Sequence, residues 1–171
     1  MKSISDYLNE FSKSTHIMYE LSDKELQKLR LCYMDIYKDV EIVCKRHGLT
    51  IMAGFGTALG AIRHKGFIPW DDDFDVLMPR SDYNKFIMLF EKELSHKYIL
   101  SVPGIGKESN RLYMQIIKRG TILETANDMI MERTNGISID VFPIDKMPSN
   151  FFLRNITSRS EERRVGKECR S

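Results

Sequence analysis

Nothing in this 171-residue sequence approaches the roughly 20 consecutive apolar residues that a bilayer-spanning helix needs, which excludes a helical membrane span. The first fifteen residues are too polar for the apolar stretch of a secretory leader, so a cytoplasmic location is the expectation. Cysteine is scarce. Of three, Cys169 lies in the extreme tail, and Cys32 and Cys44 fall twelve residues apart in what reads as one helix. That spacing separates them by about 18 Å along the axis, too far for a disulfide, and predicts buried thiols in a reducing compartment. No metal-ligand spacing of His and Cys occurs, and no Ser-His-Asp arrangement can be argued. Repeats, heptads and low-complexity runs are absent as well.

An excess of one charge is also missing. The formal net charge is +2, but residues 159–171 carry five Lys/Arg against three Asp/Glu, so without them it is zero. The mildly basic balance therefore gives no reason to expect nucleic acid as a partner. This tail, Arg159-Ser160-Glu161-Glu162 onward, looks like the translation of a sequencing-adapter oligonucleotide and is set apart from fold reasoning. The expected organisation is an N-terminal arm over 1–21, one domain over 22–158 lacking its natural C-terminal part, and the tail over 159–171. With 42% hydrophobic and 29% charged residues, the remainder has the composition of a single domain with a real core.

The most secure element is a helix. Ser22-Asp23-Lys24-Glu25 forms a capping box. Leu26, Leu29, Tyr33, Ile36, Tyr37, Val40, Val43 and Cys44 then make one apolar stripe, and Gly48 follows the basic Arg46 and His47 as a stop signal. Leu49 to Phe55 reads as a buried strand, and Thr57 as the cap of a short helix from Ala58 to about His64. Ser81 caps a further helix with Tyr83, Phe86, Ile87, Leu89, Phe90 and Leu94 on its apolar side. Strands are expected at Tyr98–Val102, Leu112–Ile117, Thr121–Leu123 and Ile137–Phe142, the last stopped by Pro143. Trp70 and the scattered methionines read as packing residues.

Chemistry concentrates in Asp71-Asp72-Asp73-Phe74-Asp75-Val76. Its end alternates acid and apolar at period two, so on a strand Asp73 and Asp75 would stand on one face. Carboxylates that close repel, and a hard divalent cation between them is the natural remedy. Upstream, Gly54-Phe55-Gly56 opens a helix whose N-terminus suits phosphate, with Gly56 allowing close backbone approach and Arg63, His64 and Lys65 at the helix end as further phosphate partners. Asp140, between Ile139 and Val141, is another acid inside an apolar strand, able to bring a third carboxylate to the same cation. Blander alternatives stand beside each of these: an acidic turn facing water, a solvated helix end set by the dipole, and a solvent-facing Asp140. A dinucleotide fingerprint fails, because its third glycine position holds Leu59 and the helix is too short for a crossover before Pro69.

The run from Gly56 to Asp75, with Gly136-Ile137-Ser138-Ile139-Asp140-Val141-Phe142-Pro143-Ile144-Asp145, strongly resembles the signature blocks of the LicD family of phosphocholine transferases, and more loosely fukutin-like phosphoribitol transferases. The resemblance covers about Leu26 to Asp145. It implies an α/β fold of nucleotidyltransferase type, a small mixed sheet flanked by helices. It further implies Asp73, Asp75 and Asp140 as ligands of Mg²⁺ (or Mn²⁺) and as the catalytic carboxylates, with Gly56 and Thr57 on the donor's phosphates. Arg63, His64 and Lys65 match the signature and are taken as substrate-binding. The implied reaction moves phosphocholine, or a related phospho-alcohol, from CDP-choline or a similar CDP-alcohol to a sugar hydroxyl of a surface glycan such as lipopolysaccharide or teichoic acid. The implied setting is the cytoplasmic side of a bacterial membrane, with peripheral association as an option. The alternatives are transfer of a nucleoside monophosphate on the same fold, and a truncated chain that only binds nucleotide.

Overall fold

A computed structural model describes residues 21–104, 112–123 and 136–146. The expected N-terminal arm, the tail and most of the loop after Pro103 lie outside these residues.

The first helix, α1 (Asp23–His47), forms as its sequence dictates. The Ser22 hydroxyl accepts from the Glu25 amide, the Glu25 carboxylate accepts from the Ser22 amide, and Gly48 closes the other end in the left-handed conformation at φ 63°. Leu29, Tyr33, Ile36, Val40, Val43 and Cys44 are buried, while Leu26 and Tyr37 pack partly against the same core. Each fully buried aliphatic here contributes about 1.5–3 kcal/mol relative to exposure. Cys32 and Cys44 are free thiols; Cys44 is buried and Cys32 only partly so.

Among the described residues five strands follow: β1 (Met52–Ala53), β2 (Asp75–Pro79), β3 (Tyr98–Ser101), β4 (Met114–Lys118) and β5 (Ser138–Ile144). They form one mixed sheet in the order β1-β2-β5-β4-β3, in which only the β2–β5 pair is parallel. Two further helices, α2 (Phe55–Arg63) and α3 (Arg80–Glu93), flank β2 in the chain. The fold is thus the expected small α/β domain. Period-two alternation sorts the sheet into two faces. Val76, Met78, Met114, Ile116, Ile139 and Val141 are buried in the same cluster as the apolar stripes of α1 and α3, whereas Asp75, Gln115 and Asp140 alternate with them toward the opposite face.

Several local expectations give way to tertiary pairing. The strand expected over Leu49–Phe55 shrinks to Met52–Ala53, an exposed edge pairing with Leu77 and Val76, because the chain turns into α2 at Gly54. Thr57 does not cap α2. That helix starts earlier, at Phe55, and the Thr57 hydroxyl instead accepts from the Asp75 amide at 2.8 Å. Ser81 likewise caps nothing; α3 begins at Arg80 directly after Pro79, and the Ser81 hydroxyl donates to Asp82. β5 runs through Pro143 to Ile144. It does so because β4 pairs with β5 only as far as Val141, so the missing Pro143 N–H leaves no gap on that side. Thr121–Leu123 lies outside the sheet. Trp70 is 78% exposed and touches the His64 ring edge-on rather than packing in the core.

Candidate active site

β2 and β5 run in register with Asp75, the first residue of β2, directly opposite Asp140, the third of β5. Parallel pairing therefore brings together two acids 65 positions apart in the chain. Asp73 lies just before β2 rather than on it, with Phe74 buried between the two acids. The Asp140 amide donates to the Phe74 carbonyl, tying β5 to the acidic segment as well.

The carboxylates repel one another as their spacing requires. Burial, then the neighbouring charges of Asp140 and Asp71, push the Asp75 carboxyl up to about 6. Asp73, which by its accessible surface still reaches solvent, is pushed up to about 7 by partial desolvation first, then by the charges of Asp75 and Asp71, with hydrogen bonding toward Asp71 adding to the rise. Among the described residues, no Lys or Arg ion-pairs with Asp71, Asp73 or Asp75. Nor do three or more acidic, His or Cys side chains among them converge closely enough to hold a metal ion ready-made. The hard-oxygen donors of Asp73, Asp75 and Asp140 fit a divalent cation held by carboxylates together with substrate oxygens.

The acidic segment is gripped from behind by α1. One guanidinium nitrogen of Arg30 donates to the carbonyls of Ile68, Pro69 and Asp71 at 2.7, 2.9 and 2.9 Å, and the guanidinium lies over the Phe67 ring. One turn on, the Tyr33 hydroxyl donates to the Asp72 carbonyl at 2.6 Å, and burial together with Asp72, Asp73 and Asp140 raises its pKa. From the other side α2 makes room with two glycines four apart. A Cβ on Gly56 would sit 2.8 Å from the Asp71 carboxylate, and one on Gly60 only 2.6 Å from the Gly66 carbonyl. Both positions thus let the loop fold back on its own helix. Arg30→Met, which keeps the packing over Phe67 but removes the donors, is expected to cost about 2–3 kcal/mol in urea unfolding. It should also raise amide exchange over Ile68–Asp73, and a cost below about 0.5 kcal/mol would show that the loop holds itself.

The remaining expected residues are placed as follows. Gly56 and Thr57 lie in the first turn of α2, beside Asp71 and Asp75 respectively. Arg63, His64 and Lys65 are exposed at the far end of the same helix, about 13 Å from its N-terminus. Lys65, with positive φ of 55°, and Thr57 line a cavity of about 300 Å³ floored by Tyr37, Phe67 and Phe74. Sequence reasoning placed Asp71 in the acidic cluster without a separate role, and missed Arg30, Tyr33 and Gln115 as parts of the site. Of these three, only Gln115 carried a signal, as a carboxamide inside the apolar run Met114–Ile117.

A small α/β domain with a glycine-started helix, an acidic segment leading into one strand and a third acid on its parallel neighbour has the layout of a nucleotidyltransferase-type domain. The chain belongs to the LicD/FKTN/FKRP family, whose nucleotidyltransferase-domain model matches residues 48–168. It is 41% identical over 81 residues to the lipopolysaccharide cholinephosphotransferase LicD of Haemophilus influenzae, covering 47% of this chain and 29% of that protein. Uncharacterised proteins of Rickettsia prowazekii (27% identity, 58% of this chain, 45% of that protein) and Rickettsia typhi (32%, 36% and 22%) are also similar. The matches thus span less than half the length of each relative. No helix among the described residues is long and apolar enough to cross a membrane.

Proposed function

We propose that this chain is the nucleotidyltransferase-type core of a transferase that moves phosphocholine, or a related phospho-alcohol, from a CDP-activated donor to a sugar hydroxyl of a surface glycan. The observation that carries the reading is the Asp75–Asp140 register pair beside Asp73, with burial and neighbouring carboxylates pushing both Asp73 and Asp75 above the usual carboxylate range. The similarity to a lipopolysaccharide cholinephosphotransferase supports choline and a lipopolysaccharide-type acceptor. Asp73, Asp75 and Asp140 would hold Mg²⁺ (or Mn²⁺), which when bound supplies charge neutralisation at the diphosphate. Gly56 and Thr57, in the first turn of α2, face the donor's phosphates, and Arg63, His64 and Lys65 receive more distant parts of the substrates. Asp140 takes the proton of the acceptor hydroxyl as that oxygen bonds to the choline-bearing phosphorus. The bond from this phosphorus to the bridging oxygen breaks, and CMP leaves with the electron pair. The work is positioning and charge stabilisation, for which a rigidly held carboxylate cluster is the required part.

Incubation with lipopolysaccharide and either CDP-choline or CTP tests the reading. Acceptor-dependent CMP release from CDP-choline, abolished by EDTA, is the expected result. Pyrophosphate release from CTP, with no CMP from CDP-choline, would establish nucleotidyl transfer instead.

A further inference from the structure

Gln115 is the polar residue that strand β4 has least reason to carry. Its neighbours Met114, Ile116 and Ile117 are all buried, and Gln115 itself is only 9% exposed. Burying a carboxamide costs free energy unless its hydrogen bonds are made. One is made to the candidate site: the Gln115 Nε2 donates to Asp140 Oδ1 at 2.7 Å. Sheet register explains the meeting. Gln115 is the direct partner of Asp140 across β4–β5, Asp140 of Asp75 across β5–β2, and Ser101 of Gln115 across β3–β4. Ser101, Gln115, Asp140 and Asp75 therefore form one polar row across four strands, on the face away from α1 and α3. At its far end Ser101 is 4% exposed, and its hydroxyl has no hydrogen-bond partner.

We propose that Gln115 is a positioning residue for Asp140, holding one carboxylate oxygen so that the group presents a fixed orientation to a divalent cation and to the acceptor hydroxyl. The proposal rests on the metal-dependent transfer reading above. A carboxylate that rotates freely must lose that freedom on each binding event, whereas one already held by a buried amide does not. Methionine at this position matches the length and shape of glutamine and removes only the amide.

The test is Mn²⁺ binding followed by electron paramagnetic resonance, with phosphocholine transfer measured in parallel. Gln115→Met is expected to keep the wild-type melting curve, weaken Mn²⁺ affinity about tenfold, and lower kcat by a similar factor at unchanged donor KM. In an Asp140→Asn background the same change should have almost no further effect on Mn²⁺, a coupling that a merely structural role would not produce. Unchanged Mn²⁺ affinity in Gln115→Met, an equal loss in both backgrounds, or a wild-type chain that takes up no Mn²⁺ would each overturn the inference. Should Gln115→Met fail to fold, Gln115→Asn carries the same test, since it keeps the amide but withdraws it by one methylene. Wild-type chain that binds Mn²⁺ with this coupling yet transfers no phosphocholine would sink the proposed reaction and leave the positioning role standing.

Discussion

Asp75→Asn is expected to lower transfer by about 10³-fold, since a lost cation ligand removes several kcal/mol of charge stabilisation and each 1.4 kcal/mol is about tenfold. The fold should not suffer. Asp75 is pushed up to about 6 by burial and by the charges of Asp140 and Asp71, so its ionised form is a burden on the cation-free chain. Asparagine has the same shape and no charge, while the Asp75 backbone amide keeps its bond to Thr57. At pH 8 without metal, the variant should therefore melt at or a few degrees above the wild type. Two measurements decide the matter, a transfer assay and a melting curve. Turnover near wild type would remove Asp75 from the machinery, and a large fall in melting temperature would make its role structural.

The second large effect is a pH dependence whose direction a divalent cation reverses. Both Asp73, at about 7, and Asp75, at about 6, sit above the ordinary carboxylate range. The folded chain thus holds these protons more tightly than the unfolded one. Their contribution to stability is fully present below about pH 4 and is lost as pH rises through about 6 to 7. Without metal, the melting temperature should accordingly fall by a few degrees between pH 5 and 8, a modest span because Asp73 is solvent-exposed. Cations compete with those same protons, so Mg²⁺ should bind far more weakly at pH 5 than at pH 8 and release protons as it binds. Saturating Mg²⁺ at pH 8 should more than restore the lost stability, and at pH 5 it should do little. Thermal scans at both pH values, with and without Mg²⁺, read this directly. An equal Mg²⁺ shift at both would place the cation away from Asp73 and Asp75.

The two ends of the β2–β5 pair show contrasting uses of charge. Near the strand entries, Asp73, Asp75 and Asp140 crowd together, and no Lys or Arg among the described residues ion-pairs with Asp73 or Asp75. Past the exits, Arg80 meets Asp145 in a forked ion pair with both bonds at 2.7 Å, which holds Asp145 below the usual carboxylate range. That second pair is solvent-exposed and adds little stability. The second signature block thus carries two acids with different physical surroundings, Asp140 facing the site and Asp145 closing the sheet end.

Sequence alone determined whatever depends on near neighbours. Helix α1 could be read end to end because its capping box, apolar stripe and left-handed glycine each act within a few residues. The alternation around Phe74 likewise betrayed the two acids flanking a buried residue. Tertiary structure decided everything that depends on which segments meet. No local pattern states that β5 pairs with β2 in parallel, yet only that pairing sets Asp140 opposite Asp75 and lets β5 run on through Pro143. Thr57 carried a capping signature, but the Asp75 amide claimed its hydroxyl, because a buried donor must find a partner wherever the fold supplies one. Arg30 and Tyr33 looked like ordinary helix residues until the acidic loop folded across α1 and offered them its carbonyls. Helices answer to spacings of three and four residues, whereas a sheet site answers to register between distant strands, and register is fixed only when the whole core closes.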